Sequence, residues 1–206
     1  MKIAIGITTT PNRSDIANYN LKKWQDLLPE NAVIFINCDT EYKGISIAKN
    51  EVLKHCYESG AEHLFICDDD IFPKQLGWEL PYINSGLNHA CWNYDRQVID
   101  NSNNAYDVLI TPNGCMLYLT RQTIDKVGGW DTEFQGWSYE HVNLSDRVFN
   151  NGLTPARYID VANTKGLFEL SECASSVSDS VKCLSIPINH SLYQQKFYSK
   201  EFKHFK

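Results

Sequence analysis

Several things are missing from this sequence of 206 residues. No apolar run approaches the roughly 18 residues that a membrane-spanning helix needs. The stretch from Met1 to Thr10 carries one lysine, a very short apolar run and no small-residue cleavage pattern, so it makes a poor signal peptide. No two of the seven cysteines are spaced C-x-x-C and their number is odd, which indicates neither a zinc site nor a complete disulfide framework. Basic charge is short as well: 19 Lys and Arg against 25 Asp and Glu leave −6, which argues against binding nucleic acid over the whole surface. There is no internal repeat and no linker, so one domain is expected. A reducing, cytoplasmic setting follows as an expectation.

What is present is a regular alternation of apolar runs and amphipathic stretches. Lys2 to Thr8, Ala32 to Asn37 and His63 to Cys67 read as buried strands. Between them, a helix is expected from Ser14 or Asp15 to about Leu28, stopped by Pro29, and another from Ile47 to Ser59, closed by Gly60. This βαβαβ order implies an α/β fold with a mostly parallel sheet flanked by helices. Ligands of such sheets bind beyond the carboxyl ends of the strands. Those ends carry Thr8 to Arg13, Asp39, and Asp68 to Asp70.

Further on, 107–110 and 115–119 are strand candidates, 121–127 a short helix, and 139–150 a helix capped by Ser138. Late strands are expected at 157–161 and 183–188, around a Ser-rich loop at 171–180. The last 13 residues hold four lysines and one glutamate, interleaved with Phe197, Tyr198, Phe202 and Phe205. They read as a terminal helix with a solvated face, or more sharply as a contact for a polyanion or membrane surface. N-x-S/T sequons begin at Asn12, Asn143 and Asn189.

Three consecutive carboxylates at a strand end repel one another unless a cation is near. On an extended backbone Asp68 and Asp70 share a face and Asp69 takes the other. Two carboxylates on one side suit Mg²⁺ or Mn²⁺, which keep positions open for substrate phosphates. A D-x-D-x-T phosphotransferase is disfavoured because position 72 is Phe, and a sugar nucleotidyltransferase because Thr8 to Arg13 contains no glycine.

The segment Phe65-Ile-Cys-Asp-Asp-Asp-Ile-Phe-Pro73 resembles the D-x-D region of GT-A fold glycosyltransferases, especially the family 2 group. Further segments agree in order: Ile5 to Arg13 with the opening strand and base-binding loop, Asp39 with the base-facing acid, and Gly44-Ile-Ser-Ile-Ala-Lys-Asn50 with G-x-x-x-A-R-N, Lys49 replacing Arg. Asn113 to Arg121 and Val127-Gly-Gly-Trp-Asp131 resemble the acceptor-side segment and its G-G-[FW]-D turn. Phe134 to Arg147 resembles W-G-x-E-[DN]-x-[ED]-L-x-x-R, with His141 and Asn143 where acids are usual.

The resemblance implies a metal-dependent transfer of sugar from a nucleotide-sugar donor, a UDP-sugar, to an acceptor hydroxyl. Residues 1–100 would form the donor half, 101–190 the acceptor and catalytic half, and 191–206 a basic aromatic tail. Thr8, Thr9, Pro11, Arg13, Asp39, Lys49, Asp68 and Asp69 would meet the donor. Asp68, Asp70 and His190 would hold Mn²⁺ or Mg²⁺. Trp130, Trp137 and Tyr139 would line the acceptor site, since sugar C–H faces stack on aromatic rings. Glu140 or His141 would take the acceptor proton, with Glu140 expected because it keeps the family position. The acceptor is left open between a glycan, a lipid-linked sugar, a protein and a nucleic-acid base. The alternative is a GT-A module that binds a nucleotide sugar or glycan without transferring it.

Overall fold

A computed structural model describes residues 2–101, 105–171 and 177–205. Parts of the expected loops at 101–104 and 171–180, Cys173 and Lys206 lie outside the described residues. The chain opens with β1 (Ile3–Thr9), a 3₁₀ turn (Pro11–Arg13), α1 (Ser14–Asp26), β2 (Ala32–Cys38), α2 (Ile45–Glu58) and β3 (His63–Asp68). It continues through β4 (Ile71–Pro73), α3 (Leu80–Asn84), β5 (His89–Trp92), β6 (Val98–Asp100), β7 (Tyr106–Leu109) and β8 (Met116–Thr120). Then come α4 (Arg121–Val127), α5 (Glu140–Asn150), β9 (Ile159–Val161), β10 (Phe168–Leu170) and α6 (Asp179–Lys196).

The central sheet has the order β2-β1-β3-β8-β5. β1 pairs in parallel with both β2 and β3, and β8 runs antiparallel between β3 and β5. The register sets Thr8 beside Asn37 on one side and Asp68 on the other, so the expected polar edge forms. Strand alternation divides the core. Ile3, Ile5, Ile7, Phe65 and Cys67 face one layer with Trp24, Trp78 and Tyr82, while Ala4, Leu64 and Ile66 face the other with α2, α4 and α5. Gly6 lets α2 lie close: a Cβ there would meet Ile66, Cys56 and Val52 at 2.9–3.0 Å. Two small sheets, β10-β4 and β6-β7-β9, complete the fold.

His89 sits fully buried on β5, with Nδ1 2.8 Å from the Tyr118 carbonyl and Nε2 2.9 Å from the Ser145 hydroxyl. Burial pushes its imidazole down from 6.5 to about 4, against a smaller upward pull from the Tyr118 carbonyl. The group is therefore neutral when folded and protonates earlier when unfolded. Its stabilising effect is complete above pH 6.5 and is lost as pH falls toward 4, about 3 kcal/mol across the window at roughly 1.4 kcal/mol per pH unit. Urea unfolding at pH 7 and pH 4.5 should show this loss, and His89→Gln should flatten it.

Two expectations fail in the last third. The 183–188 strand is part of α6, which carries Pro187 in its interior. The tail is neither a free helix nor a polybasic surface. α6 ends at Lys196, and the following residues run back so that Lys203 bridges to Gly128 and Phe205 is buried in the α2/α4/α5 layer. Lys196 and Lys203 both pair with Asp131 and Glu133, and Lys203 also with Glu201. Two of the four lysines that read as a docking patch, Lys196 and Lys203, are thus paired within the fold, while Lys200 is exposed.

Candidate active site

The carboxyl ends of β1 and β3 bring Thr8, Thr9, Arg13 and the three aspartates together. Asp69, on the turn that follows β3, points inward and is buried. It accepts from Thr9 Oγ1 at 2.6 Å and from Arg13 Nε and Nη2 at 2.9 and 2.6 Å. Arg13 Nη2 also reaches Asp70 at 2.9 Å. Arg13, Thr9 and Asp69 thus form a buried bracket that fixes the turn carrying Asp70. Thr8 is buried beside this bracket, and Pro11 is exposed at the start of the 3₁₀ turn.

Asp39, at the end of β2, is buried and accepts from the backbone N–H groups of Lys43 and Gly44 at 2.9 and 3.0 Å. It folds the loop into α2, where Gly44 at φ 105° opens the helix. α2 then delivers two consecutive residues to different tasks. Asn50 clasps the backbone of Trp130, donating to its carbonyl at 2.9 Å and accepting from its N–H at 2.7 Å. Lys49, fully buried, donates to the Gly114 carbonyl at 2.9 Å and pairs with Asp68 at 3.1 Å. Burial alone would push this ammonium down, but the charges of Asp68 and Glu140 outweigh it and raise it. Burial, with the charge of Asp70 added, lifts Asp68 to about 6 against the pull of Lys49.

Glu140 opens α5 and is buried. Its Oε1 lies 2.9 Å from His141 Nδ1, and its Oε2 has no hydrogen-bond partner. Burial pushes the carboxyl up, yet His141 and then Lys49 outweigh it and bring it down to about 2. The two residues before it, Ser138 and Tyr139, both hold positive φ, at 83° and 71°. For residues with a Cβ this conformation costs energy and persists only where the surroundings enforce it. Here α6 enforces it: Asn189 donates to the carbonyls of Gln135, Trp137 and Ser138, and Ser185 Oγ meets both the N–H and the carbonyl of Trp137.

Comparison with known proteins adds the frame. No protein-family model and no curated protein matches the chain. Solved structures do. The catalytic domain of Drosophila beta1,4-galactosyltransferase 7, in complex with xylobiose, aligns at TM-score 0.55 and 11% identity over 90% of this chain and 79% of that one. GalNAc-T7 with UDP, GalNAc and Mn²⁺ aligns at TM-score 0.62 and 9% identity over 96% of this chain. This chain spans about half the length of that one, 50%. Identity at this level speaks to architecture. The chain has the GT-A fold.

On this GT-A frame the expected acceptor side is partly redrawn. Trp130 does not line a surface: it is fully buried, with Lys49 Nζ 5.9 Å from its ring. Trp137 is exposed, with the Lys182 ammonium 5.4 Å from its ring. Tyr139 stacks on Tyr193 at 5.1 Å and lies tilted against His190 at 5.5 Å. His190 therefore sits on α6 among aromatics. Among the described residues no three of His, Cys, Asp and Glu gather into a metal-holding group, so it does not complete a triad with Asp68 and Asp70. No described helix is long and apolar enough to cross a membrane.

Some residues take on tasks that motif reading does not assign. Gly114 is one: a Cβ there would lie 3.0 Å from His141 Nδ1, so the glycine makes room for the imidazole. Asn143 and Asn189 are others, since both sequon asparagines are buried, Asn143 bonding Arg147 Nε at 3.0 Å. Arg147, the last residue of its motif, is fully buried and donates to the carbonyls of Val127 and Gly129. It staples α5 to the glycine turn.

Proposed function

We propose that the chain is a glycosyltransferase that moves a sugar from a nucleotide-sugar donor, a UDP-sugar, to an acceptor hydroxyl, along the lines of the family 2 group. One observation carries the reading. At the strand-end edge of a GT-A sheet, where open α/β sheets bind ligands, Asp68 and Asp70 sit on one turn and connect through buried Lys49 to Glu140 at the head of α5. That GalNAc-T7 is seen with UDP and Mn²⁺ on the same fold supports both donor class and metal.

The donor set fits a divalent ion. Asp68 and Asp70 supply hard oxygens, and Asp68 Oδ1 is buried with the Lys49 ammonium 3.1 Å away. Mn²⁺ or Mg²⁺ held there would offset the negative charge of a departing nucleoside diphosphate. Lys49 supplies positive charge at the same place. Exposed Trp137 offers an apolar ring face to an acceptor sugar.

The alternative, a module that binds without transfer, draws on one feature: position 143, where an acid is usual, is a buried Asn committed to Arg147. UDP release from a panel of UDP-sugars with Mn²⁺ separates the two. Steady release above a heat-inactivated control supports transfer; UDP binding with no release from any donor supports the module. Once an acceptor is found, Trp137→Ala should raise its KM several-fold while leaving UDP affinity and melting temperature unchanged, as expected for an exposed stacking ring.

A further inference from the structure

We infer that His141, rather than Glu140, is the base that takes the acceptor proton, and that Glu140 is the positioning residue that holds the imidazole in its proton-accepting tautomer. The inference rests on the glycosyltransferase reading and assigns roles within that site. It reverses the expectation drawn from sequence, where Glu140 keeps the usual position.

The geometry distinguishes the two neighbours. Glu140 is buried, and one oxygen is spent on His141 Nδ1 at 2.9 Å. His141 is the more open of the pair, its side chain 17% exposed against 7%. Gly114 supplies the second contact. The imidazole atoms nearest its missing Cβ are Nδ1, Cγ and Cε1, at 3.0, 3.1 and 3.5 Å, so the Nδ1 edge lies against the protein and Nε2 lies farther off. Among the described residues no hydrogen bond engages Nε2. Gly114 also ties this ring to the donor edge, because its carbonyl accepts from the same Lys49 that pairs with Asp68. The imidazole and the Asp68 carboxylate are thus both one residue away from the Lys49–Gly114 contact.

Protonation logic gives the roles. Glu140, a carboxylate under the charge of buried Lys49, is ionised at neutral pH and only accepts hydrogen bonds. The hydrogen it shares with His141 therefore sits on Nδ1, leaving the lone pair on Nε2. Glu140 Oε2 is buried, whereas the imidazole is the more open group and its Nε2 is the unengaged acceptor. Among the described charged groups, Glu140 on α5 contacts the ring, and Lys49 on α2 acts on both Glu140 and, on β3, Asp68. In the step itself, the acceptor O–H gives its proton to Nε2, the oxygen forms its bond to the anomeric carbon, and the carbon–phosphate-oxygen bond breaks. The electron pair leaves with the nucleoside diphosphate, and the imidazolium that remains is stabilised by Glu140.

Two readouts on the full chain test this. The first needs no substrate: long-range proton–nitrogen NMR of the histidine side chains at pH 8, assigned with His141→Gln. His141 should carry its hydrogen on Nδ1 in the wild type and shift toward Nε2–H in Glu140→Gln. Finding Nε2–H in the wild type overturns the inference, since that nitrogen then cannot accept. The second is UDP release with Mn²⁺ across pH 5–9, water serving as acceptor. His141→Gln should lose on the order of 100-fold and with it the acid limb of the profile. His141→Asp should recover part of the rate, with the limb moved to lower pH. Wild-type release that is unchanged in rate and profile in His141→Gln would overturn the base role while leaving the glycosyltransferase reading standing. The absence of any release from wild type would instead count against that reading, and the tautomer measurement would still decide the pairing.

Discussion

Lys49→Met is expected to be the most damaging single change at the site. The ammonium is fully buried between Asp68 and Gly114, and its charge also acts on Glu140. Methionine keeps the length and volume of the stem but leaves two carboxylates without their shared cation. Removing one partner of a buried ion pair costs about 3–5 kcal/mol, because the remaining charge has lost both water and counter-charge. Asp68 would then protonate at still higher pH, so the cost shrinks in acid and grows in base. Urea unfolding of Lys49→Met at pH 5 and pH 8 should show the larger loss at pH 8. Any release of UDP from a UDP-sugar should fall at least as far as stability does. Lys49→Arg, which restores the residue usual at this motif position, keeps the charge and should stay within about 2 kcal/mol of wild type.

Gly128→Ala should be nearly as severe for a purely steric reason. Gly128 adopts φ 72°, which strains any residue with a Cβ, and a Cβ there would sit 1.9 Å from the Lys203 carbonyl oxygen. The clash is with backbone, not with a flexible side-chain end, so the returning tail must leave α4. Phe205 would lose its buried place and Lys203 its contact with Asp131. A loss of about 3 kcal/mol or more is expected in denaturant unfolding. A variant ending at residue 196 should show a comparable loss, because it removes the same strap. A Gly128→Ala melting temperature equal to wild type would show that the tail does not hold the turn.

The sheet was readable because its signals are local. The apolar runs of β1, β2 and β3 exceed what loops tolerate, Gly60 follows α2, and α4 begins at Arg121 and ends at Gly128 as composition suggests. β4, α3, β5 and β10 span only three to five residues each, too short for a period to register. α6 misleads through Ile186-Pro187-Ile188, where a proline inside an apolar alternation imitates an edge strand. What keeps the segment helical is tertiary: Ser185 and Asn189 face the 135–138 loop and bond its backbone.

The site was legible as a set of residues and much less as a set of roles. Asp69 and Arg13 both lie at the strand-end edge and face each other. Trp130 and Arg147 belong to the quoted motifs and serve packing, the first under Lys49, the second beneath the glycine turn. A motif records which residue types must be present; burial and partners decide whether each one touches a ligand or holds a neighbour that does.

The central claim is that the Asp68–Asp70 edge holds a nucleoside diphosphate with a divalent ion. Titration calorimetry of UDP into the protein with Mn²⁺, repeated with EDTA and with Asp70→Asn, tests it most directly. The expected result is measurable binding to wild type that weakens at least about 10-fold on chelation and in Asp70→Asn, with the variant's melting temperature close to wild type. UDP binding that is equally tight without metal and in Asp70→Asn would contradict it.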